Sequence, residues 1–587
     1  MTASSPFPQS PYIFHKRLRW IYGVFIIIAL VLIYKLASLQ LIHGNYYYNE
    51  AIDNYIVKTD TFLERGNIYF EDKEGNHISA ATVQTGYRVL INPTKVLDPE
   101  KLFSSLTPYL SLEHDYFISQ ATKVDDKREV IAERVDDKIG EKLRDANLIK
   151  DVVILERDQW RYYPALNHGA HAIGFLAYDD TGTHLEGRYG LEKFYDKVLT
   201  HENDGLYVNF FAQIFSDIGD TLASPTERDG DIITTIEPQV QAFLDDTLSE
   251  AVERWKADYG GAIIMDSKTG ALRAMSVYPS FDLNNFKNVE NNNVFNNPLV
   301  GSVFEMGSII KPLIMSMAFD HGVVTPSTKY TDLGSVVVAD RTINNFDHKA
   351  RGTVNMEEVL KQSLNTGMVF VMQKMDKKKV KDKIYELGFG EKTGIDLPSE
   401  TSGLLKNLDS LRDVEYANVS FGQGMAVTPI ATVRALGVIA NHGILTNPHL
   451  AKEIDYKDGF SKNIEPELEQ KRIFSESTIE DITTILVKLA DTSFKGNYPQ
   501  LDKYSIAAKT GTAQVANQSG GGYYDDRNLH SFFGFFPAYE PRYVVFFYLM
   551  YPKGVRYSSE TLSGPFMDTA QFIINYYDIS PDRMIVQ

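Results

Sequence analysis

The sequence predicts an α+β protein of more than one domain, carried on a single N-terminal membrane-spanning helix. Three observations lead there. The chain has 587 residues, too many for one compact core. A long uncharged apolar run stands near the N-terminus, from Trp20 to Tyr34. After Asp231 the pattern reads strand, helix, hairpin, a long helical middle and further strands, which suits a mainly antiparallel sheet with flanking helices.

The apolar run comes first. Lys35 interrupts it, and Leu36 to Ile42 continues it. A span needs about 20 mostly apolar residues. Leu18 to Leu41 is long enough if Lys35 snorkels to an interface. Trp20, Tyr22 and Tyr34 suit interfacial belts. Lys16, Arg17 and Arg19 precede the run, and no Asp or Glu occurs before Glu50. That bias places the N-terminus in the cytoplasm and the rest of the chain outside. A cleaved signal peptide would show a shorter run and a small-x-small site, and no Ala-x-Ala follows here. The expected bounds are a cytoplasmic tail over 1–17, an anchor over 18–42, a mixed segment over 43–226 and a C-terminal domain over 227–587.

In the mixed segment, Arg65-Gly-Asn-Ile-Tyr69 followed by Glu74-Gly75-Asn76 reads as a strand, a polar turn and a return strand. Leu112 to Leu148 is dense in charge at helical spacing, with Lys123, Asp125, Asp126, Lys127, Arg128 and Glu129 expected on a solvated helical face. Asp217 to Gly230 is rich in turn formers and marks the boundary. Asp231 to Ile236 is a strand candidate. Pro238 to Trp255 carries Val240, Phe243, Leu244, Leu248 and Val252 at helical spacing, with Pro near its start. Gly260 to Met265 and Ala271 to Val277 flank the turn Asp266–Gly270, a hairpin signal.

Composition excludes several functions. The hydrophobic fraction of 43% and charged fraction of 23% are those of a globular protein. A formal net charge of -18 argues against nucleic-acid binding, which needs a surplus of Lys and Arg. Cysteine is absent, so disulfides, thiolate nucleophiles and Cys-based zinc sites are excluded. His168 and His171 are the closest histidine pair and lack a carboxylate at metal spacing. They read as turn and packing residues, and no metal or cofactor is expected.

The chemistry lies in three short motifs. The first is Gly307-Ser308-Ile-Ile-Lys311-Pro312, ahead of an apolar run to Phe319. Pro312 is tolerable only in a first helical turn, so a helix starts near Ser308. Ser308 and Lys311 then share a face. A serine hydroxyl needs a base to become a nucleophile, and a buried lysine whose pKa is lowered can serve. The second is Ser363-Leu-Asn365, a hydroxyl that can relay a proton and an amide that can bond both a lysine and a carbonyl. Ser461-Lys-Asn463 has the same pattern in a polar stretch and reads as a loop. The third is Lys-Thr-Gly, present at Lys268–Gly270, Lys392–Gly394 and Lys509–Gly511. The first copy falls in the hairpin turn and the second in a loop-like context. Only Lys509-Thr510-Gly511 continues a small apolar run, Ser505–Ala508, and extends as Thr512-Ala-Gln-Val515. That suits a strand lining a site, with Gly511 allowing close backbone approach.

In this order, the three motifs resemble those of penicillin-binding proteins and serine β-lactamases. Arg65–Tyr69 is similar to the opening of the non-catalytic pedestal of class B penicillin-binding proteins. Arg161-Tyr-Tyr-Pro164, Gly190-Leu-Glu192, Thr235–Gln239, Phe421–Gly424 with Thr428-Pro429, and Ser531–Pro537 also resemble that class. Coverage runs from the anchor nearly to the C-terminus.

The resemblance implies a pedestal of the dimerisation type over 43–226 and a β-lactamase-like transpeptidase domain over 227–587. It implies that Ser308 attacks the penultimate D-alanine of a stem peptide while Lys311 takes its proton. Ser363 and Asn365 would relay protons and position the substrate. Lys509, Thr510, Gly511 and Thr512 would hold the terminal carboxylate, and the N–H groups of Ser308 and Thr512 would form the oxyanion hole. Implied partners are D-Ala-D-Ala stem peptides, β-lactams, a polytopic membrane glycosyltransferase and other division proteins. Met306, Ile309 and Leu364 depart from the usual residues, and none removes a reacting group. Ser-x-Asn looks like the division-type enzymes. An elongation-type transpeptidase, a membrane-anchored β-lactamase or β-lactam sensor, and an idle wall-synthesis scaffold are the alternatives.

Overall fold

The structure is a computed structural model that describes residue 35 and residues 63–146, 152–179, 181–182, 184–200, 229–410, 412–464, 471–517 and 522–583. The expected tail over 1–17, the anchor over 18–42 (Lys35 apart) and the boundary residues 217–228 lie outside these residues. Among the described residues no helix is long and apolar enough to cross a membrane. The described residues from Glu64 onward form one compact unit.

Ile68–Glu71 (β1) and His77–Ile91 (β2) form the antiparallel pair expected around Glu74–Asn76. Asp72 closes the turn by accepting from the N–H groups of Glu74 and Asn76, as turn aspartates do. Glu129–Asp136 (β3) and Val153–Tyr162 (β4) flank the second half of β2.

The helical reading of Leu112 to Leu148 is corrected here. His114–Ala121 (α1) and Asp137–Asp145 (α2) are helices. The charge run from Lys123 to Arg128 is irregular, and Glu129 opens β3. Ile131 and Val135 are four residues apart, which is one face in a helix and also one face in a strand, so periodicity does not separate the two. Both are buried with Val89, Phe117 and Leu143, and β-branched side chains fit the pleated surface.

The signature residues of this segment meet in one buried ion cluster. Glu192 is 0% exposed and accepts from Arg65 Nε at 2.7 Å and Arg161 Nε at 2.7 Å. Arg161 Nη1 also donates to the Gly66 carbonyl, and the Tyr163 hydroxyl lies 3.3 Å from Glu192 Oε1. Burial raises the Glu192 carboxyl, but the two guanidiniums outweigh it and hold the pKa below its ordinary value.

Gly230–Thr234 (β5) pairs in parallel with β1 and antiparallel with Ala451–Tyr456. One sheet therefore carries strands from both sides of residues 217–228. Ser461–Asn463, expected as a loop, is a short exposed strand at the edge of this sheet, paired with Ala451–Tyr456. The expected helix Pro238–Trp255 (α3) forms with those bounds, capped by the Glu237 side chain on the Val240 N–H. Tyr259–Asp266 (β6) and Leu272–Tyr278 (β7) form the expected hairpin.

These two strands belong to a five-stranded antiparallel sheet. Its other members are Ala507–Ala516 (β11), Tyr523–Phe536 (β12) and Tyr543–Met550 (β13), in the order β11-β12-β13-β6-β7. The sheet is covered on both faces, which is why β6, β13 and the end of β12 are apolar without alternation. Ala262, Ile264, Phe532, Phe536, Val545 and Phe547 pack with residues of α3 and of Ser558–Tyr576 (α7). Ile263, Met265, Phe533, Phe535, Val544 and Phe546 share the other core with Ile309 and Leu313 of the helical region. Lys329–Asp332 (β8), Ser335–Val338 (β9) and Arg341–Asn344 (β10) lie between the helix that follows Ser308 and the Ser363 motif. The edge strand β11 carries the third Lys-Thr-Gly copy.

Candidate active site

Ser308 stands in a 3-10 turn, Gly307–Ile310, that runs into the helix Lys311–Asp320 (α4), with Pro312 in its first turn. Residues Lys311 to Ala318 of α4 are all buried, and the side chain of Ser308 is partly exposed. Gly307 has φ 64°, and its N–H donates to the Gly422 carbonyl at 3.1 Å. The Phe421–Gly424 segment therefore braces the nucleophile turn.

Lys311 is 0% exposed. Its Nζ lies 2.6 Å from the Ser363 carbonyl oxygen, 2.8 Å from Asn365 Oδ1 and 3.2 Å from Ser363 Oγ. All three partners are neutral oxygens. Burial, and then the nearby charge of Lys509, push the Lys311 amine well below its ordinary pKa. A neutral amine has two N–H bonds, which satisfy the two carbonyl oxygens. Its lone pair is left for a hydroxyl proton, which is what a general base needs.

Ser363 lies between the helices Met356–Lys361 (α5) and Asn365–Gln373 (α6). Its φ is 54°, a left-handed conformation that costs a non-glycine residue about 1–3 kcal/mol. That conformation joins α5 to α6 and leaves both the carbonyl and the hydroxyl of Ser363 on Lys311. The Asn365 amide is oriented by its other end, because Nδ2 donates to the Asn344 carbonyl at 3.0 Å and Oδ1 is left for Lys311.

Lys509 comes from β11 and is 2% exposed. Its Nζ reaches Ser363 Oγ at 3.2 Å and the Thr510 carbonyl at 3.0 Å. One hydroxyl thus sits between two buried lysines. Burial lowers the Lys509 pKa to about 7. In β11, Lys509 pairs with Phe533 and Gly511 with Ser531, so both face the core around Ile309. A Cβ on Gly511 would lie 2.7 Å from the Met306 carbonyl, so only glycine admits the nucleophile turn this close. Thr510 and Thr512 alternate with them along this edge strand and are partly exposed, and the Thr512 hydroxyl accepts from the Ser558 N–H at 3.2 Å.

The other two Lys-Thr-Gly copies are turns. Asp266 accepts from the N–H groups of Lys268 and Thr269. Glu400 accepts from the N–H and hydroxyl of Thr393 and from the Gly394 N–H. The structure thus brings Lys311, Ser363, Asn365 and Lys509 together, sets Gly511 against the turn that holds Ser308, and leaves Lys268, Lys392 and Ser461 elsewhere.

Sequence reasoning missed several groups at the site. Asn344 holds the Asn365 amide, Ser558 holds Thr512, and Ser531 Oγ donates to the Met306 carbonyl at 3.0 Å. Ser531 lay in a segment singled out by resemblance. Asn344 and Ser558 carry no local signal, because each acts through a backbone group.

Comparison with known proteins bears on the same residues. The penicillin-binding protein transpeptidase domain model matches residues 260–570, and the penicillin-binding protein dimerisation domain model matches residues 62–213. Stage V sporulation protein D of Bacillus subtilis is 28% identical, covering 94% of this chain and 84% of its own length. The peptidoglycan D,D-transpeptidase FtsI of Buchnera aphidicola (subspecies Baizongia pistaciae) is 26% identical, covering 97% of each chain. Among solved structures, penicillin-binding protein 3 of Mycobacterium tuberculosis in complex with aztreonam superposes with a TM-score of 0.66 at 21% identity, covering 89% of this chain and 98% of that one. Penicillin-binding protein 2X of Streptococcus thermophilus gives 0.69 at 21% identity, covering 88% and 80%.

Proposed function

The chain belongs to the penicillin-binding protein transpeptidase family, and from that premise we propose that it is a peptidoglycan D,D-transpeptidase with Ser308 as its nucleophile. The observation that carries this reading is the fully buried Lys311 amine, held by three neutral oxygens one helical turn from Ser308.

Ser308 Oγ attacks the carbonyl carbon of the penultimate D-alanine, and its proton passes to Lys311. The proton then moves through Ser363 to the nitrogen of the terminal D-alanine, which leaves as the C–N bond breaks. The N–H groups of Ser308 and Thr512 hold the oxyanion; one such donor is worth about 3 kcal/mol. Lys509 in its protonated form, with Thr510 and Thr512, binds the terminal carboxylate. An amine from a second stem peptide attacks the ester, Lys311 takes its proton, and Ser308 leaves with that proton. A β-lactam follows the first half only, because its leaving nitrogen stays tethered and blocks the acceptor.

The working arrangement is an anchor over 18–42, a pedestal over 43–226 and a catalytic domain over 227–587 outside the cell membrane. The place of action is the division septum, next to a membrane glycosyltransferase. The Ser-x-Asn form of the second motif, Ser363-Leu-Asn365, supports a septal role.

Released D-alanine from a defined pentapeptide donor, in the presence of an amine acceptor, tests the activity. Wild type should release it and form the cross-linked product, and Ser308→Ala should do neither. Hydrolysis of β-lactams without cross-linking would overturn the reading in favour of a β-lactamase. Depletion should block septation; rounding of cells instead would assign the protein to elongation.

A further inference from the structure

Asp332, at the end of β8, is 1% exposed and touches neither Ser308 nor a lysine of the cleft. Its carboxylate collects five hydrogen bonds from four donor groups. Oδ1 accepts from the Thr366 hydroxyl at 2.7 Å, the Gly334 N–H at 3.0 Å and Asn345 Nδ2 at 3.0 Å. Oδ2 accepts from the Arg351 N–H at 2.8 Å and again from Asn345 Nδ2 at 3.0 Å. Burial raises this carboxyl, but the hydrogen bonds, led by that from Thr366, outweigh it and keep the pKa low. The Arg351 side chain turns away to Asp347 and Gln362, so the carboxylate is held by N–H and O–H dipoles and not by a cation.

These bonds define a clasp. Gly334 and Arg351 are the two ends of an excursion that contains β9 and β10, and one carboxylate pins both. Asn345, on that excursion, is fixed by Asp332 through its amide N–H and by Thr366, whose N–H donates to Asn345 Oδ1 at 3.3 Å. The neighbouring Asn344 carbonyl is the group that orients the Asn365 amide. Thr366 follows Asn365 in α6, so Asp332 grips both the residue after Asn365 and the residue after its partner Asn344.

We propose that Asp332 is a positioning residue of the acylation site, which holds Asn365 Oδ1 on the Lys311 amine through Asn345, the Asn344 carbonyl and Thr366. Without the carboxylate, four donor groups lose their acceptor and the excursion is free to shift. The Asn365 amide then has no fixed partner at Nδ2 and can flip its NH2 toward Lys311. An NH2 there cannot accept from the amine, so the base loses one of the contacts that aim it.

The proposal rests on Ser308 acylation, and a double-mutant cycle tests it. The limiting rate and the non-covalent affinity for a fluorescent penicillin are measured separately, by saturation, for wild type, Asp332→Ala, Asn365→Ala and the double variant, each checked for its thermal midpoint. Asp332→Ala should lower the limiting rate by about 100-fold, the scale of a small misplacement, and leave the non-covalent affinity unchanged. The double variant should be no slower than the slower single variant, because both act through one group. If the two effects multiply, Asp332 does not act through Asn365 and the proposal is overturned; an unchanged rate in Asp332→Ala overturns it as well. Should Asp332→Ala fail to fold, Asp332→Asn keeps the shape, loses the charge and enters the same cycle. Wild type that is not acylated would instead strike the transpeptidase reading.

Discussion

Two places in the molecule bury a pair of cations around a single small acceptor, and they do it with opposite consequences. In the first segment, Arg65 and Arg161 close on the carboxylate of Glu192. In the cleft, Lys311 and Lys509 close on the hydroxyl of Ser363. Glu192 brings a charge, so the guanidiniums stay charged and Arg65 is pushed further up: burial lowers it, and the carboxylates of Glu192 and Asp196 outweigh that. Ser363 brings none, so both amines fall toward neutrality. The residue types suit these fates, because a guanidinium does not deprotonate in proteins, whereas a lysine shifts readily when buried. Compensated burial makes a structural clamp, and uncompensated burial makes a base.

Substitution at the two centres should separate them. Lys311→Met removes the base and should slow penicillin acylation by about 10²–10⁴-fold. It should leave stability intact or raise it by about 0.5–2 kcal/mol, as relief of a strained site does. A stable, fast-acylating variant would break the comparison. Glu192→Gln does the reverse. It strands two buried guanidiniums and should cost about 3–5 kcal/mol in denaturant unfolding, with the acylation rate of the folded fraction unchanged.

The two centres also titrate in different pH windows, with slopes of the same sign. The Glu192 pKa is depressed, so its contribution to stability is present above the unfolded carboxyl value and lost as pH falls through the folded one. The Lys509 pKa is also depressed, so its slope has the same sign and lies at higher pH. Between about 7 and the ordinary value of 10.5 the unfolded chain binds the extra proton, so stability should climb as pH rises through that window. Denaturation midpoints across pH for wild type and Lys509→Met should show this slope shrink in the variant to the part that the buried Lys311 amine contributes. Acylation should show an alkaline limb near 7 as Lys509 loses the proton that binds the carboxylate; a rate that rises without limit past that pH would remove Lys509 from that role. The smallest effects belong to the decoy motifs: Lys268→Ala and Lys392→Ala should stay within about 0.5 kcal/mol of wild type and acylate normally.

Much of the site was legible because its chemistry is written in short motifs whose apolar surroundings differ. The Ala507–Ala508 run marks β11 as a buried strand, whereas Thr269 and Thr393 sit among turn residues. α3 and the β6–β7 hairpin were legible for the same reason, since their period, caps and turn residues agree. The strand Glu129–Asp136 was not legible because the spacing of four between Ile131 and Val135 suits a helix and a strand alike. The pairing of Ile68 with Ile232 joins residues far apart in sequence, and no local pattern encodes it. Asp332 and Asn345 were invisible as well. Their role depends on the Asn344 carbonyl meeting a side chain 21 residues further on, a product of tertiary folding.

The central claim is that Ser308 forms the covalent bond. Wild type and Ser308→Ala are treated with a penicillin, digested, and the acylated peptide is identified by mass spectrometry. The adduct should map to the peptide that contains Ser308 in wild type and be absent from Ser308→Ala. An adduct on Ser363 or on any other residue, or one that persists in Ser308→Ala, would contradict the account.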